Sequence, residues 1–225
     1  MILITGASRN IGKYLFDKYL SEKEDVYGTF NKTSDISGNR LSKVDISNYQ
    51  NVSEWISSIE NLNTITLINC AGISYNSFAH KADPDEWRKV FEVNVFGAFN
   101  CIRCVLPLMR QQQFGRIINL SSVVPQKPTP GVSAYSASKS ALWGLTKSIS
   151  AEVGSLNITI NNINLGYVNL GMGVESVPEA YQEIIKKQIP GGKFCEPSDI
   201  FQTVEFLRNT SYINGTSIDL NGGLV

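Results

Sequence analysis

The chain has 225 residues, enough to bury most of the surface it exposes when unfolded, and its length fits a single α/β unit. Lysine plus arginine and aspartate plus glutamate number 20 each, so no net field gathers nucleic acid or an anionic membrane. Four cysteines without a dense framework suit reduced thiols, one histidine leaves a Ser-His-Asp triad little room, and no Cys/His spacing suggests a metal site.

The first strand is predicted over MILIT, whose apolar stretch ends too soon for a signal-peptide core and has no basic leader. TGASRNIG, residues 5 to 12, follows it and opens a helix over 11–21. In that setting Gly6 lets the chain turn tightly, Gly12 lets helix and sheet approach, and amides at the helix N-terminus can meet a pyrophosphate. Gly6, Ser8, Arg9, Asn10, Ile11 and Gly12 are therefore candidate cofactor-binding residues. Asn10 stands where such loops carry another glycine, and asparagine is among the few residues that tolerate positive φ.

DVYGTF is the second predicted strand. It ends at Phe30, 18 residues beyond Gly12, where an NAD-binding pattern places an acid for the ribose 2′-hydroxyl. Arg9, Asn31, Lys32 and Thr33 instead put donors and positive charge where a 2′-phosphate would sit, so NADP is expected in preference to NAD. Asp35 comes five residues late. Asn31 to Ser42 is polar and lacks an apolar stripe, so it reads as a loop, just supplying the dozen or so residues a parallel crossover needs.

LSKVDI, ITLINCAG, GRIINLSS, ITINNINLG and SIDL read as the remaining strands, with helices over 48–60, 84–110, 133–153, 178–188 and 197–208. Seven strands separated mostly by helices predict an α/β fold: a doubly wound, seven-stranded parallel Rossmann sheet with helices on both faces, in one nucleotide-binding domain over 1–225. Cys101 and Cys104 form a CxxC that reads as mid-helix packing, and His80 reads as a solvated loop histidine. No apolar run approaches 18 residues, which points to the cytoplasm and against a membrane partner.

AYSASKSAL, residues 134 to 142, places Tyr135 and Lys139 four positions apart, one turn along the same helix face. An ammonium about 4 Å from the phenol, at an effective dielectric near 20, favours the phenolate by about 4 kcal/mol. That is roughly what moves a tyrosine pKa from 10 to 7. The small neighbours Ser136, Ala137, Ser138 and Ser140 are expected to let cofactor and facing helix approach.

With TGASRNIG, VDI at 44 to 46, NCAG at 69 to 72, Asn94 in VNVFGAF, INLSS at 118 to 122, YSASK at 135 to 139 and the late LNGG, the chain resembles the short-chain dehydrogenase/reductase family nearly end to end. That resemblance implies a catalytic set of Asn94, Ser122, Tyr135 and Lys139. Ser122 would hold the substrate oxygen, Tyr135 would pass the proton, Lys139 would bind the nicotinamide ribose, and Asn94 would anchor a relay water. It also implies that Asp45 and Ile46 flank the adenine, that Asn69, Ala71 and Gly72 shape the nucleotide floor, and that Gly166 to Val168 border the nicotinamide. Ser122 is preferred to Ser121 because its 13-residue spacing to Tyr135 fits the family.

The chain departs from the family pattern at LGYVNLGM, where Leu165 replaces a proline and Asn169 or Leu170 lies near a threonine slot, and at Cys70, which replaces an asparagine. The implied activity is NADPH-dependent carbonyl reduction, or alcohol oxidation in reverse, on a 3-oxoacyl thioester; a sugar, polyol or secondary alcohol is the alternative. A non-catalytic dinucleotide sensor or scaffold is a reading of another class, opposed by retention of all four catalytic positions. Sugar-nucleotide epimerases share the Tyr and Lys spacing but need a larger C-terminal part than the fewer than 60 residues after LGYVN. Gly171 to Phe194 is a candidate substrate cover. Apolar positions Phe91, Val95, Phe99, Leu142, Leu145 and Ile149, together with the resemblance, imply a homodimer or homotetramer.

Overall fold

The computed structural model describes residues 1–32, 40–171, 174 and 177–225. Thr33, Asp35 and four positions of the Gly171 to Phe194 stretch (172, 173, 175 and 176) therefore lie outside the described residues.

The strands are β1 (Ile2–Thr5), β2 (Val26–Phe30), β3 (Leu41–Lys43), β4 (Thr66–Asn69), β5 (Gly115–Ser122), β6 (Ile158–Leu165) and β7 (Ser217–Leu220). They pair in parallel, in the order β3-β2-β1-β4-β5-β6-β7. The strand order reverses between β1 and β4, which opens a crevice at their carboxyl ends. The helices are α1 (Asn10–Ser21), α2 (Tyr49–Ser57), α3 (Pro84–Phe91), α4 (Ala98–Gln112), α5 (Ser133–Val153), α6 (Glu179–Gln188) and α7 (Pro197–Asn209).

Both sheet faces are covered, so β1, β4, β5 and β6 are buried along their whole length. Leu3, Leu67, Ile117 and Ile160 point to one face and pack with Trp55 of α2, Val105 of α4 and Ile149 of α5. Ile4, Ile68, Ile118 and Ile163 point to the other and pack with Leu15 and Phe16 of α1 and Val204 of α7. The period of two along each strand thus supplies two cores. β3 stops at Lys43, short of the expected LSKVDI, yet Val44 and Ile46 are buried against α2 and α4.

α3 and α4 are joined without a break by a π-helical turn, Glu92–Gly97. The combined Pro84–Gln112 helix is long and apolar enough by composition to cross a membrane. Its buried side chains, Cys101, Ile102, Val105 and Met109, pack into the first core. Two of the apolar positions expected to be surplus, Leu142 and Ile149, are buried within the subunit because α5 lies over the sheet. Phe96 and Phe99 remain largely exposed.

β5 and β6 carry asparagines inside this core, and side-chain hydrogen bonds satisfy them. Asn69 Nδ2 donates to Asn119 Oδ1 at 2.9 Å, and Asn119 Nδ2 to Asn162 Oδ1 and Thr146 Oγ1, each at 3.1 Å. Asn162 Nδ2 continues to Ser217 Oγ at 3.0 Å, so a polar ladder crosses β4, β5, β6 and β7 beneath α5. Asn119→Ala should strand several of these groups and cost about 3 kcal/mol of stability, read as a lower urea midpoint. A midpoint equal to that of the wild type would show that the ladder adds no stability.

Candidate active site

The glycine turn between β1 and α1 has the geometry a phosphate needs. Gly6 lies at φ +69°, and a Cβ on it would meet the Ala71 Cα at 2.9 Å. A Cβ on Gly12 would lie 2.2 Å from the Gly6 carbonyl oxygen, so only glycine lets α1 start this close to β1. Arg9, the N-cap, offers no side-chain cap, the first turn carries no acid, and Lys13 N is the first amide bonded back, to Arg9 O. The amides of Asn10, Ile11 and Gly12 thus stand free of the helix ladder at its positive end. Asn10 takes the expected left-handed backbone, at φ +51°.

Across the crevice, Thr5 Oγ1 accepts from the amides of both Cys70 and Ala71, which fixes the NCAG turn against β1. Asp45 is turned inward on Ser47, accepting from its amide at 3.0 Å and its hydroxyl at 2.6 Å. Ile46 is buried, and Asn100 donates to its carbonyl at 3.0 Å. Arg9, Asn31 and Lys32 are exposed, the last two following Phe30 at the end of β2. Gly166 closes on Asn221, whose Cα a Cβ would meet at 2.9 Å, and Val168 bridges to Cys195.

Three successive residues at the end of β5 grip one turn of α5. The Leu120 carbonyl accepts from Lys139 Nζ at 2.7 Å, Ser121 Oγ donates to the Lys139 carbonyl at 3.3 Å, and the Ser122 hydroxyl lies beside the Tyr135 phenol, where it favours the phenolate. Trp143 Nε1 adds a donor to Ser121 Oγ at 3.3 Å and to Asn164 Oδ1 at 3.0 Å. Ser138 Oγ donates to the Tyr135 carbonyl at 2.8 Å and accepts from Asn94 Nδ2 at 3.0 Å. The serines of YSASK therefore do more than make room. Their hydroxyls tie the helix to its neighbours.

Asn94 sits in the π-helical turn, a backbone form that collects at functional sites. Its Oδ1 accepts from the Ile73 amide and its Nδ2 donates to the Ile73 carbonyl, each at 2.9 Å. With Ser138 this commits the carboxamide to joining the segment after β4 to α5.

The structure brings Asn94, Ser122, Tyr135 and Lys139 together and sets the glycine turn and NCAG beside the same crevice. It corrects the electrostatics expected for the tyrosine. Burial pushes the Tyr135 phenol up to about 12, with the Ser122 hydrogen bond pulling down and nearby Cys70 pushing up. Lys139 Nζ lies 5.6 Å from the phenol ring centroid and is held on Leu120, and burial rather than the ammonium sets the direction of the phenol's shift. Burial also depresses the Lys139 ammonium to about 8 and raises the Cys70 thiol to about 12, which leaves that thiol protonated and space-filling.

Sequence reasoning missed Thr5 and Leu120, and it weighed Ser121 only as the weaker alternative to Ser122. Leu120 acts through its backbone carbonyl, which no side-chain pattern reveals. Cys101 is buried in α4, and His80 is exposed in a 3-10 turn with its ring stacked on Phe78, both as expected. Among the described residues no cluster of His, Cys, Asp and Glu could hold a metal ion.

Residues 1–180 match the model of the family described as short chain dehydrogenase. The chain is 36% identical to the acetoacetyl-CoA reductase of Shinella zoogloeoides over 98% of its own length and 96% of that protein's. It is 34% identical to the 3-oxoacyl-(acyl-carrier-protein) reductase of Rickettsia typhi, covering 99% and 95% of the two chains. The crystal structure of a 3-oxoacyl-(acyl-carrier protein) reductase from Brucella melitensis superposes with a TM-score of 0.90 at 30% identity, over 99% of this chain and 90% of that one.

The buried lysine can be read directly. In the protein alone, one lysine ¹³Cε resonance should titrate with a midpoint near 8, because burial penalises the charged form, and should vanish in Lys139→Met. A midpoint at the ordinary value of about 10.4 would mean that Lys139 reaches water.

Proposed function

The chain belongs to the short-chain dehydrogenase family, and from that membership we propose that it reduces the ketone of a 3-oxoacyl thioester with NADPH. The observation that carries the reading is the grip of Leu120, Ser121 and Ser122 on Tyr135 and Lys139, which presents a phenol and an ammonium together at the carboxyl ends of the strands. The whole chain, 1–225, acts as one nucleotide-binding domain.

The residues fit a dinucleotide. The amides of Asn10, Ile11 and Gly12, which lie outside the helix ladder, would meet the diphosphate, with Gly6 and Ser8 forming the turn beneath it. Arg9, Asn31 and Lys32 face the 2′-phosphate, and Phe30 offers no carboxylate to a 2′-hydroxyl, so NADP is bound in preference to NAD. Asp45 and Ile46 flank the adenine, Asn69, Ala71 and Gly72 form the floor, and Gly166 and Val168 border the nicotinamide. Lys139, whose Nζ makes one hydrogen bond among the described residues, has donors left for the nicotinamide ribose.

The bound nicotinamide supplies the hydride. Ser122 orients the carbonyl oxygen, and Tyr135, fully protonated at neutral pH, gives it the proton. Asn94 keeps the segment after β4 in register with α5. The thioester class follows the named activities of the two reductases above, which the chain matches over nearly their whole length. A homodimer or homotetramer forms through the outer face of α4 and α5, where Phe99, Leu106, Pro107 and Leu145 line an exposed groove, and the enzyme works in the cytoplasm.

NADPH oxidation with acetoacetyl-CoA tests the reading, and a panel lacking any turnover on 3-oxoacyl thioesters would overturn it in favour of a sugar or polyol substrate. Tyr135→Phe should keep NADPH affinity and lose about two orders of magnitude or more in turnover, whereas Lys139→Ala should lose both. Arg9→Ala should weaken NADPH selectively over NADH. The ammonium is the form that binds ribose, so NADPH affinity should fall as pH rises through about 8, and Lys139→Met should bind weakly without that dependence. Light scattering should give a multiple of the 24.8 kDa chain mass, a monomer mass arguing against the α4 and α5 interface.

A further inference from the structure

We propose that Asn10 and Gly171 form a clasp at the phosphate end of the cofactor groove, in which the asparagine side chain limits how fast the dinucleotide enters and leaves. The proposal rests on the dinucleotide-binding reading of the glycine turn.

Gly171 follows β6 closely and is buried, with φ at +64°. A Cβ placed on it would lie 2.6 Å from Asn10 Cγ, 2.7 Å from Nδ2 and 2.9 Å from Cβ. The Asn10 side chain therefore crosses from the first turn of α1 and rests on the Gly171 backbone. Only glycine at 171 leaves it that space. Asn10 itself holds a left-handed backbone at φ +51°, where glycine would be less strained, so the side chain is kept at some conformational cost.

The contact lies beside the N-terminus of α1, where the helix dipole and amides outside the helix ladder favour negative charge. Arg9 leaves α1 without a side-chain cap, and the amides of Asn10, Ile11 and Gly12 have no partner within the helix. A diphosphate seated on those amides is flanked by the Asn10 and Gly171 pair, so its passage requires the two to part. A carboxamide carries no charge, and its main effect falls on rates rather than on equilibrium affinity.

The test is stopped-flow NADPH fluorescence on full-length wild type, Asn10→Gly, Gly171→Ala and the double variant. Asn10→Gly relieves backbone strain and should fold. Its association and dissociation rates should both rise about fivefold, with Kd changed less than twofold. Gly171→Ala, whose new methyl collides with Asn10, should also speed both rates, and the double variant should be no faster than Asn10→Gly alone. Unchanged rates in Asn10→Gly, a rise in dissociation without a matching rise in association, or additive effects of the two substitutions would each overturn the clasp. If wild type shows no saturable NADPH binding, the dinucleotide reading fails and the clasp with it, a result distinct from binding with unaltered kinetics.

Discussion

The site depends on a buried ammonium that, among the described residues, has no carboxylate beside it. Lys139 is 5% exposed, and the protein acceptor for its Nζ is the carbonyl of Leu120. Removing a charge from water without a counter-ion is unfavourable, which is why the group is pushed down to about 8. A carboxylate beside it would make the apo protein more stable and occupy the donors that a ribose needs. The arrangement leaves electrostatic demand unfilled, and a cofactor with hydroxyls and phosphates can fill it.

Holding such a group requires a rigid surround, and the sheet provides one through side chains that a hydrophobic core would omit. Beneath α5, Asn69, Asn119, Asn162 and Ser217 link four strands, with Thr146 of α5 joined at the middle. A second line runs from Ser121 through Trp143 and Asn164 to Asp219, and returns through Gln126 to the segment just after Ser122. Buried polar networks fix one geometry because any other leaves groups unpaired. Here the two lines converge on β5 and α5, the elements that carry Ser122, Tyr135 and Lys139.

Much of this was legible in the sequence. All seven strands and the six predicted helices were marked by period and by turn residues, because each strand feeds two cores and each helix one stripe. The α3 to α4 stretch was read as one helix, but its π-helical turn was not visible, since a one-residue widening leaves no mark on an apolar stripe. Tyr135 and Lys139 were paired by spacing, and Asn94 and Ser122 followed from the family resemblance. The Leu120 carbonyl and the Asn10 contact with Gly171 were not, because one is backbone chemistry and the other joins residues 161 positions apart.

The tyrosine shows why spacing fixes neighbours but not energies. A turn of helix brings Lys139 beside Tyr135, yet Nζ turns to the Leu120 carbonyl and burial raises the phenol to about 12. For reduction this is the useful direction, since a proton donor must still carry its proton when the carbonyl arrives. A phenol at 12 is a weak acid, so transfer needs the product alkoxide, a far stronger base, to draw the proton off. Ser122 already favours the phenolate by its hydrogen bond, and the Lys139 charge is within one helical turn. The protein therefore stores the proton securely in the resting state and concentrates the groups that favour its release at the place where negative charge develops.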